Sequence, residues 1–229
     1  MKKITTIMEW NVVKNWKYLL TAVAVLALNI LTQRLVFSLP NFNGPNLFIA
    51  AALLLFAVAI GLWSAKILGL WQSEKKWSLL EAFGFLSIGF VVLFGVKMIG
   101  GQLIVIEEGY GKTPANQELI QNSGLPVLLL FIFTVFFAPV LEELLFRGII
   151  MGKVFGKDSI LGLLLSSYLF GLIHGPTNIG SWVLYAGIGL VLGVIYRLSG
   201  KYSYALILHF VNNLIGIGLL LLLQSLGAI

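Results

Sequence analysis

The chain has no cysteine. Disulfide staples, thiolate-bound zinc and thiol nucleophiles are therefore excluded. Charge is scarce too: Asp, Glu, Lys and Arg make up 10% of the 229 residues, where a water-soluble domain carries about 25%. Histidine occurs twice, as His174 and His209. What fills the chain instead is apolar: 59% of residues are hydrophobic and the mean hydropathy is +0.99. Water-soluble fold classes are set aside, and the chain reads as an integral membrane protein. The net charge of +6 does not point to nucleic acid, because basic residues collect on the cytoplasmic loops of membrane proteins.

The apolar runs are continuous rather than alternating, which disfavours a closed barrel. They predict an all-α, polytopic transmembrane helical bundle of about seven spans. The spans fall near 18–39, 46–65, 79–100, 125–149, 159–175, 179–197 and 203–226. The basic start "MKKITTIMEWNVVKNWK" leads into the first run, which reads as an uncleaved span rather than a signal peptide. Residues 66–77, with Trp71 and Trp77, suggest an interfacial helix. Lys2, Lys3, Lys14, Lys17, Lys66, Lys75, Lys76, Arg147, Lys153, Lys157, Arg197 and Lys201 fall on alternate connections. That bias puts the N-terminus in the cytoplasm and the C-terminus outside the cell. The stretch 101–124 reads as an extracellular, solvated connector. Residues 1–124 then hold three spans and this loop, and residues 125–229 hold a polar-bearing core, together one membrane domain.

Three spans carry polar interruptions: "EELLFR" (Glu142, Glu143, Arg147), "FGLIH" (Phe170, His174) and "HFVNN" (His209, Asn212, Asn213). Ionisable groups at membrane depth face the bundle interior and pair with one another. Glu143 and Arg147 are four residues apart and share a face, so they are expected to form an ion pair. Glu142 lies about 100° away around the helix and is free to face something else. Pro139 removes a backbone donor and should bend the helix, leaving a carbonyl near residue 135 unpartnered. Counted from the nearest cytoplasmic charges, Lys153, Asp158 and Lys201, the residues Glu142, His174, His209 and Asn213 all reach the middle of the bilayer. The glycines of the sixth and seventh spans are expected to allow close helix packing.

A carboxylate and a neutral imidazole can hold and deprotonate water. A second imidazole and a carboxamide can stabilise an oxyanion. Glu142, His174 and His209 are also ligand types that zinc accepts, although no H-E-x-x-H is present. Ser166 and Ser167 lack a nucleophile-elbow context.

In order and spacing, the three motifs resemble the E-E-x-x-x-R, F-x-x-x-H and H-x-x-x-[ND] motifs of the CPBP family. This family comprises CAAX proteases and bacteriocin-processing proteins, also called the Abi family. The resemblance covers roughly residues 125–215 and implies an intramembrane endopeptidase with a CAAX-protease-like core. By resemblance, Glu142 activates the water and His174 helps to position it. His209 and Asn213 stabilise the oxyanion, with Glu143, Arg147 and Phe170 supporting. The family is described both as metalloproteases and as glutamate-dependent enzymes, so zinc on Glu142, His174 and His209 stays open. The implied partners are the lipid bilayer and a hydrophobic or membrane-bound peptide. Short loops look bacterial and argue against a prenylated CAAX terminus as substrate. Two other readings compete. One is a non-enzymatic bacteriocin-immunity or scaffold protein that keeps the motifs for structure. The other is a proton-coupled carrier, disfavoured because the chain halves show no repeat.

Overall fold

The computed structural model describes residues 15–73 and 75–227, so the charges at Lys2, Lys3 and Lys14 lie outside the described residues. All regular structure among the described residues is helical. In chain order the helices are α1 (Trp16–Phe37), α2 (Pro45–Ile67), α3 (Leu79–Glu108), α4 (Ala115–Gln121), α5 (Val127–Gly156), α6 (Ile160–Ile173), α7 (Ile179–Ser199) and α8 (Tyr202–Ser225). Six of them are long and apolar enough to cross a membrane, and α6 is a shorter apolar helix. The protein is a multi-pass membrane bundle.

Three expectations change. The fifth span has 14 helical residues, about 21 Å at 1.5 Å per residue, less than the roughly 30 Å hydrocarbon core. It starts at Ser159, whose hydroxyl caps Gly162 N–H, and stops at His174. The described residues of 66–77 form no interfacial helix. α2 ends at Ile67, and Trp71 and Trp77 pack edge-on against Tyr202 and Tyr204. The stretch 101–124 is not a long connector either, because α3 runs on to Glu108 and α4 occupies Ala115–Gln121.

α7 lies at the centre, packed against α3 on one side and α6 on the other. Glycine permits these contacts. A Cβ on Gly180 would fall 2.5 Å from the Ile104 nitrogen, and one on Gly100 would fall 2.9 Å from the Leu184 Cα. Gly187, Gly189 and Gly193 of α7 are equally crowded, as expected, but Gly216 and Gly218 of α8 have open space where a Cβ would sit.

α5 winds unusually. Two wide π-helical stretches, Ile132–Phe137 and Leu144–Gly156, flank the α-helical turn Ala138–Glu143. Ala138 N–H donates five residues back, to the Phe133 carbonyl. In that register the next carbonyl, Thr134, would be served by Pro139, which has no N–H. Asn213 on α8 supplies the missing donor, its Nδ2 lying 2.9 Å from Thr134 O. The orphan carbonyl expected near residue 135 thus exists, and a side chain satisfies it.

The helix ends sort by charge. At one end Asn15 donates to Val154 O (3.0 Å), Lys75 to Leu198 O and Trp77 to Ser199 O (3.3 Å). This gathers the basic connections on one side. At the other end Glu107 accepts from Gly180 N–H at 2.8 Å, and Glu108 accepts from Asn178.

Candidate functional site

Glu142 and Glu143 both lie in the α-helical turn of α5, where adjacent side chains diverge by about 100° and so face different partners. Glu143 and Arg147 are fully buried, with Arg147 Nη1 2.8 Å from Glu143 Oε1. The guanidinium also donates to Gly189 O at 2.6 Å and sits 4.6 Å from the centre of the Phe170 ring. The expected ion pair is therefore present and is tied to α7. A buried charge left without its partner is costly, so this clamp removes an electrostatic liability beside the site.

Glu143 Oε1 has a second partner, His209 Nδ1, at 2.9 Å. A carboxylate only accepts, so Nδ1 carries the proton and the His209 Nε2 lone pair faces away from Glu143. His174 is fixed in the same manner, with its Nδ1 2.7 Å from the Phe170 carbonyl on α6. Its ring stacks on Tyr185, with centroids 4.5 Å apart. Both Nε2 atoms then turn to Glu142: Oε2 lies 3.9 Å from His174 Nε2 and 3.8 Å from His209 Nε2. Glu142 Oε2 is buried and has no hydrogen-bond partner. One carboxylate oxygen and two ring nitrogens thus converge without touching.

Phe170 is the hub of this arrangement. Its ring lies 4.7 Å from His174, 5.7 Å from His209 and 5.5 Å from Phe146. The convergence point opens into a cavity of about 690 Å³. Asn213, Thr134 and Tyr185 line it, and so do Asn29 and Gln33 of α1, Lys97 of α3 and Asn116 of α4. Glu142, Phe170, His174, His209 and Asn213 meet at this cavity, and Glu143 and Arg147 lie buried behind it, joined to it through His209. Ser166 and Ser167 do not: their hydroxyls donate to Phe146 O and Leu163 O.

Sequence reasoning missed Lys97, Tyr185 and the polar residues of α1. Lys97 carried a usable signal, as the one basic residue within the predicted third span. Tyr185, Asn29 and Gln33 carried none, because single polar residues in apolar helices are ordinary interhelical bonders.

The donor types suit zinc, but the spacing does not. A tetrahedral zinc with bonds of about 2.0–2.1 Å sets its ligand atoms about 3.3–3.4 Å apart. Glu142 Oε2 stands 3.8 and 3.9 Å from its neighbours. Among the described residues, no three acidic or histidine side chains are grouped to hold a metal ion. Two hydrogen bonds of about 2.8 Å meeting at roughly 90° span that separation comfortably. The arrangement therefore fits a hydrogen-bonded water better than a closed metal site.

Residues 124–215 match the family described as Type II CAAX prenyl endopeptidase Rce1-like. The chain is 28% identical to the UPF0177 protein YvdC of Lactococcus lactis over 60% of its own length and 52% of that protein. It is 26% identical to YdiL of Bacillus subtilis, named as a candidate membrane peptidase, over 55% of its own length and 51% of that protein. It is 24% identical to the membrane-embedded CAAX protease MroQ of Staphylococcus aureus over 86% of each chain. The matches to YvdC and YdiL span about half the length of those relatives. No solved structure matches the chain significantly. The matched segment holds Glu142, Glu143, Arg147, Phe170, His174, His209 and Asn213, and in these motifs and relatives the chain is similar to the CPBP family of CAAX-type membrane proteins.

Proposed function

We propose that the protein is an intramembrane endopeptidase that hydrolyses hydrophobic or membrane-bound peptides with a water held by Glu142, His174 and His209. The observation that carries this reading is the buried, unpartnered Glu142 Oε2, facing two Nε2 atoms at 3.9 and 3.8 Å. All three atoms are acceptors when Glu142 is ionised and the imidazoles are neutral. A water is the small group that donates twice, and it would bridge the carboxylate and one ring nitrogen.

As the water oxygen attacks the scissile carbonyl, its proton passes to Glu142, with His174 fixing the direction of attack. The new carbon–oxygen bond leaves negative charge on the former carbonyl oxygen. Asn213 offers that oxyanion the N–H not committed to Thr134. With a second proton taken up from bulk solvent before the attack, His209 donates from Nε2 and Glu143 stabilises that imidazolium through Nδ1. Donors positioned in a dry site stabilise such charge far better than water does. When the carbon–nitrogen bond breaks, Glu142 returns the proton to the leaving amine. No step needs a metal ion, although zinc on Glu142, His174 and His209 would polarise the carbonyl if those side chains closed in.

The cavity walls suit a hydrophobic peptide: Phe133, Ile173, Leu184, Ile188 and Ile217 line it. The basic connections gather at one end of the bundle, which supports a cytoplasmic N-terminus and an extracellular C-terminus. Residues 124–215 are the catalytic part in this reading, and α1–α3 are walls.

The test is cleavage of a quenched fluorescent membrane-peptide library by detergent-purified protein, with and without a chelator. The expected result is cleavage that the chelator leaves unchanged. Absence of cleavage across the library contradicts the reading. A second reading, a non-enzymatic immunity or scaffold protein, draws on the structural bonds of Asn213 and Glu143. It predicts a biological effect that survives Glu142→Gln.

A further inference from the structure

Lys97 is an ammonium on a lipid-embedded helix, 18 residues beyond the start of α3. It is half-buried, lines the cavity and lies outside the segment matched by the family. No carboxylate lies within ion-pair distance of it among the described residues. A charge at that depth calls for a reason.

Its hydrogen bonds supply one. Lys97 Nζ donates to Asn212 Oδ1 at 3.1 Å. Asn212 Nδ2 donates to Asn213 Oδ1 at 2.9 Å. Asn213 Nδ2 donates to Thr134 O at 2.9 Å. Three bonds run in series from α3 through α8 to α5. The two ends fix the direction, because an ammonium only donates and a backbone carbonyl only accepts. Each carboxamide between them could otherwise turn over and exchange its oxygen and nitrogen. With both ends fixed, each has one orientation. Asn213, which lines the cavity, is then held with its oxygen toward Asn212 and its nitrogen toward Thr134, and its second N–H is left uncommitted.

We infer that Lys97 is a positioning residue: it sets the polarity of the Asn212–Asn213 relay and so presents the Asn213 N–H to the reaction site. The inference rests on the reading in which Asn213 serves the oxyanion. It assigns a function to a residue of the N-terminal helices, where the motifs carry none. Lys97→Met removes the end that Asn212 Oδ1 needs, freeing Asn212 to turn its oxygen against that of Asn213. Asn212→Asp is the sharper change. The carboxylate pairs with Lys97 at least as well as the amide does, but it cannot donate to Asn213 Oδ1.

The experiment combines peptide cleavage kinetics with melting temperatures in detergent. Lys97→Met is expected to lower kcat roughly tenfold with KM within about twofold, as for a group acting in the transition state. Lys97→Arg is expected to recover most of that loss. Asn212→Asp is expected to melt no lower than wild type, yet to lose at least as much kcat as Lys97→Met. A merely structural lysine predicts an active Asn212→Asp. The melting temperatures of Lys97→Met, Asn213→Ala and the double variant should depart from additivity by roughly 3 °C, because the residues share one network. Additive melting temperatures, or a fully active Asn212→Asp, overturn the inference. Non-additive melting together with no cleavage by wild type upholds the relay and overturns the peptidase reading instead.

Discussion

The helices on either side of residue 124 differ in what they touch. In the most apolar stretches of α1, α2 and α3, 17%, 28% and 11% of residues are buried in the bundle. For α5, α7 and α8 the shares are 67%, 56% and 33%. The first group is therefore mostly lipid-facing wall, and the second is the packed core. Hydropathy does not separate them, at 1.8–2.5 for the first group and 1.9–2.2 for the second. In lipid, apolar content does not say which face is inside. The buried polar residues do, since they avoid lipid and draw helices together.

That contrast can be broken most forcefully at the convergence point. His174→Ala should cut cleavage by about a thousandfold, in the range for losing a general base or its partner, while the protein still inserts and melts cooperatively. Cleavage assays on folded, monodisperse variant check it. Arg147→Met comes next and strikes stability rather than chemistry. It strands Glu143 at 0% exposure, and removing one partner of a buried pair costs about 3–5 kcal/mol. Thermal unfolding in detergent should show it as the largest loss among the charged residues.

Asn213→Ala removes both the proposed oxyanion donor and the side-chain donor that satisfies Thr134 O. A fall in kcat of about a hundredfold is expected, with a smaller loss of melting temperature. Gly180→Leu probes the α3–α7 contact, where a Cβ already meets the Ile104 backbone. It should destabilise by about 1–3 kcal/mol as overpacking does. Gly101→Ala on α3, where a Cβ meets open space, should shift stability by less than about 1 kcal/mol. A Gly101 variant as damaging as Gly180→Leu would mean that α3 has a second packed face.

Much of the site was legible in the sequence because helical spacing is local. The four-residue step from Glu143 to Arg147 requires a shared face, and the ion pair is there. The Pro139 defect required a missing donor, and Thr134 is the carbonyl it exposes. Other features depend on what lies across the bundle. Spacing within α8 could not reveal that Asn213 answers Pro139 on α5. Nor could it show that His209 turns its Nδ1 to Glu143. The length of α6 was misjudged because apolar residues continue through Ile173 while Gly175 takes a positive φ of 59°, which ends the helix at His174. The run 66–77 has the tryptophans of an interfacial helix, yet they pack onto Tyr202 and Tyr204. Lys97 was passed over because a lone lysine on an apolar helix ordinarily snorkels.

In the proposed mechanism two adjacent glutamates divide the work, Glu142 for chemistry and Glu143 for the clamp on Arg147 and His209. The most direct test is to measure cleavage rate and melting temperature together for Glu142→Gln and Glu143→Gln. The account predicts that Glu142→Gln loses cleavage by at least about a thousandfold while melting close to wild type, and that Glu143→Gln melts clearly lower. Glu142→Gln that cleaves at the wild-type rate, or a pair of variants with identical loss of melting temperature, would contradict it.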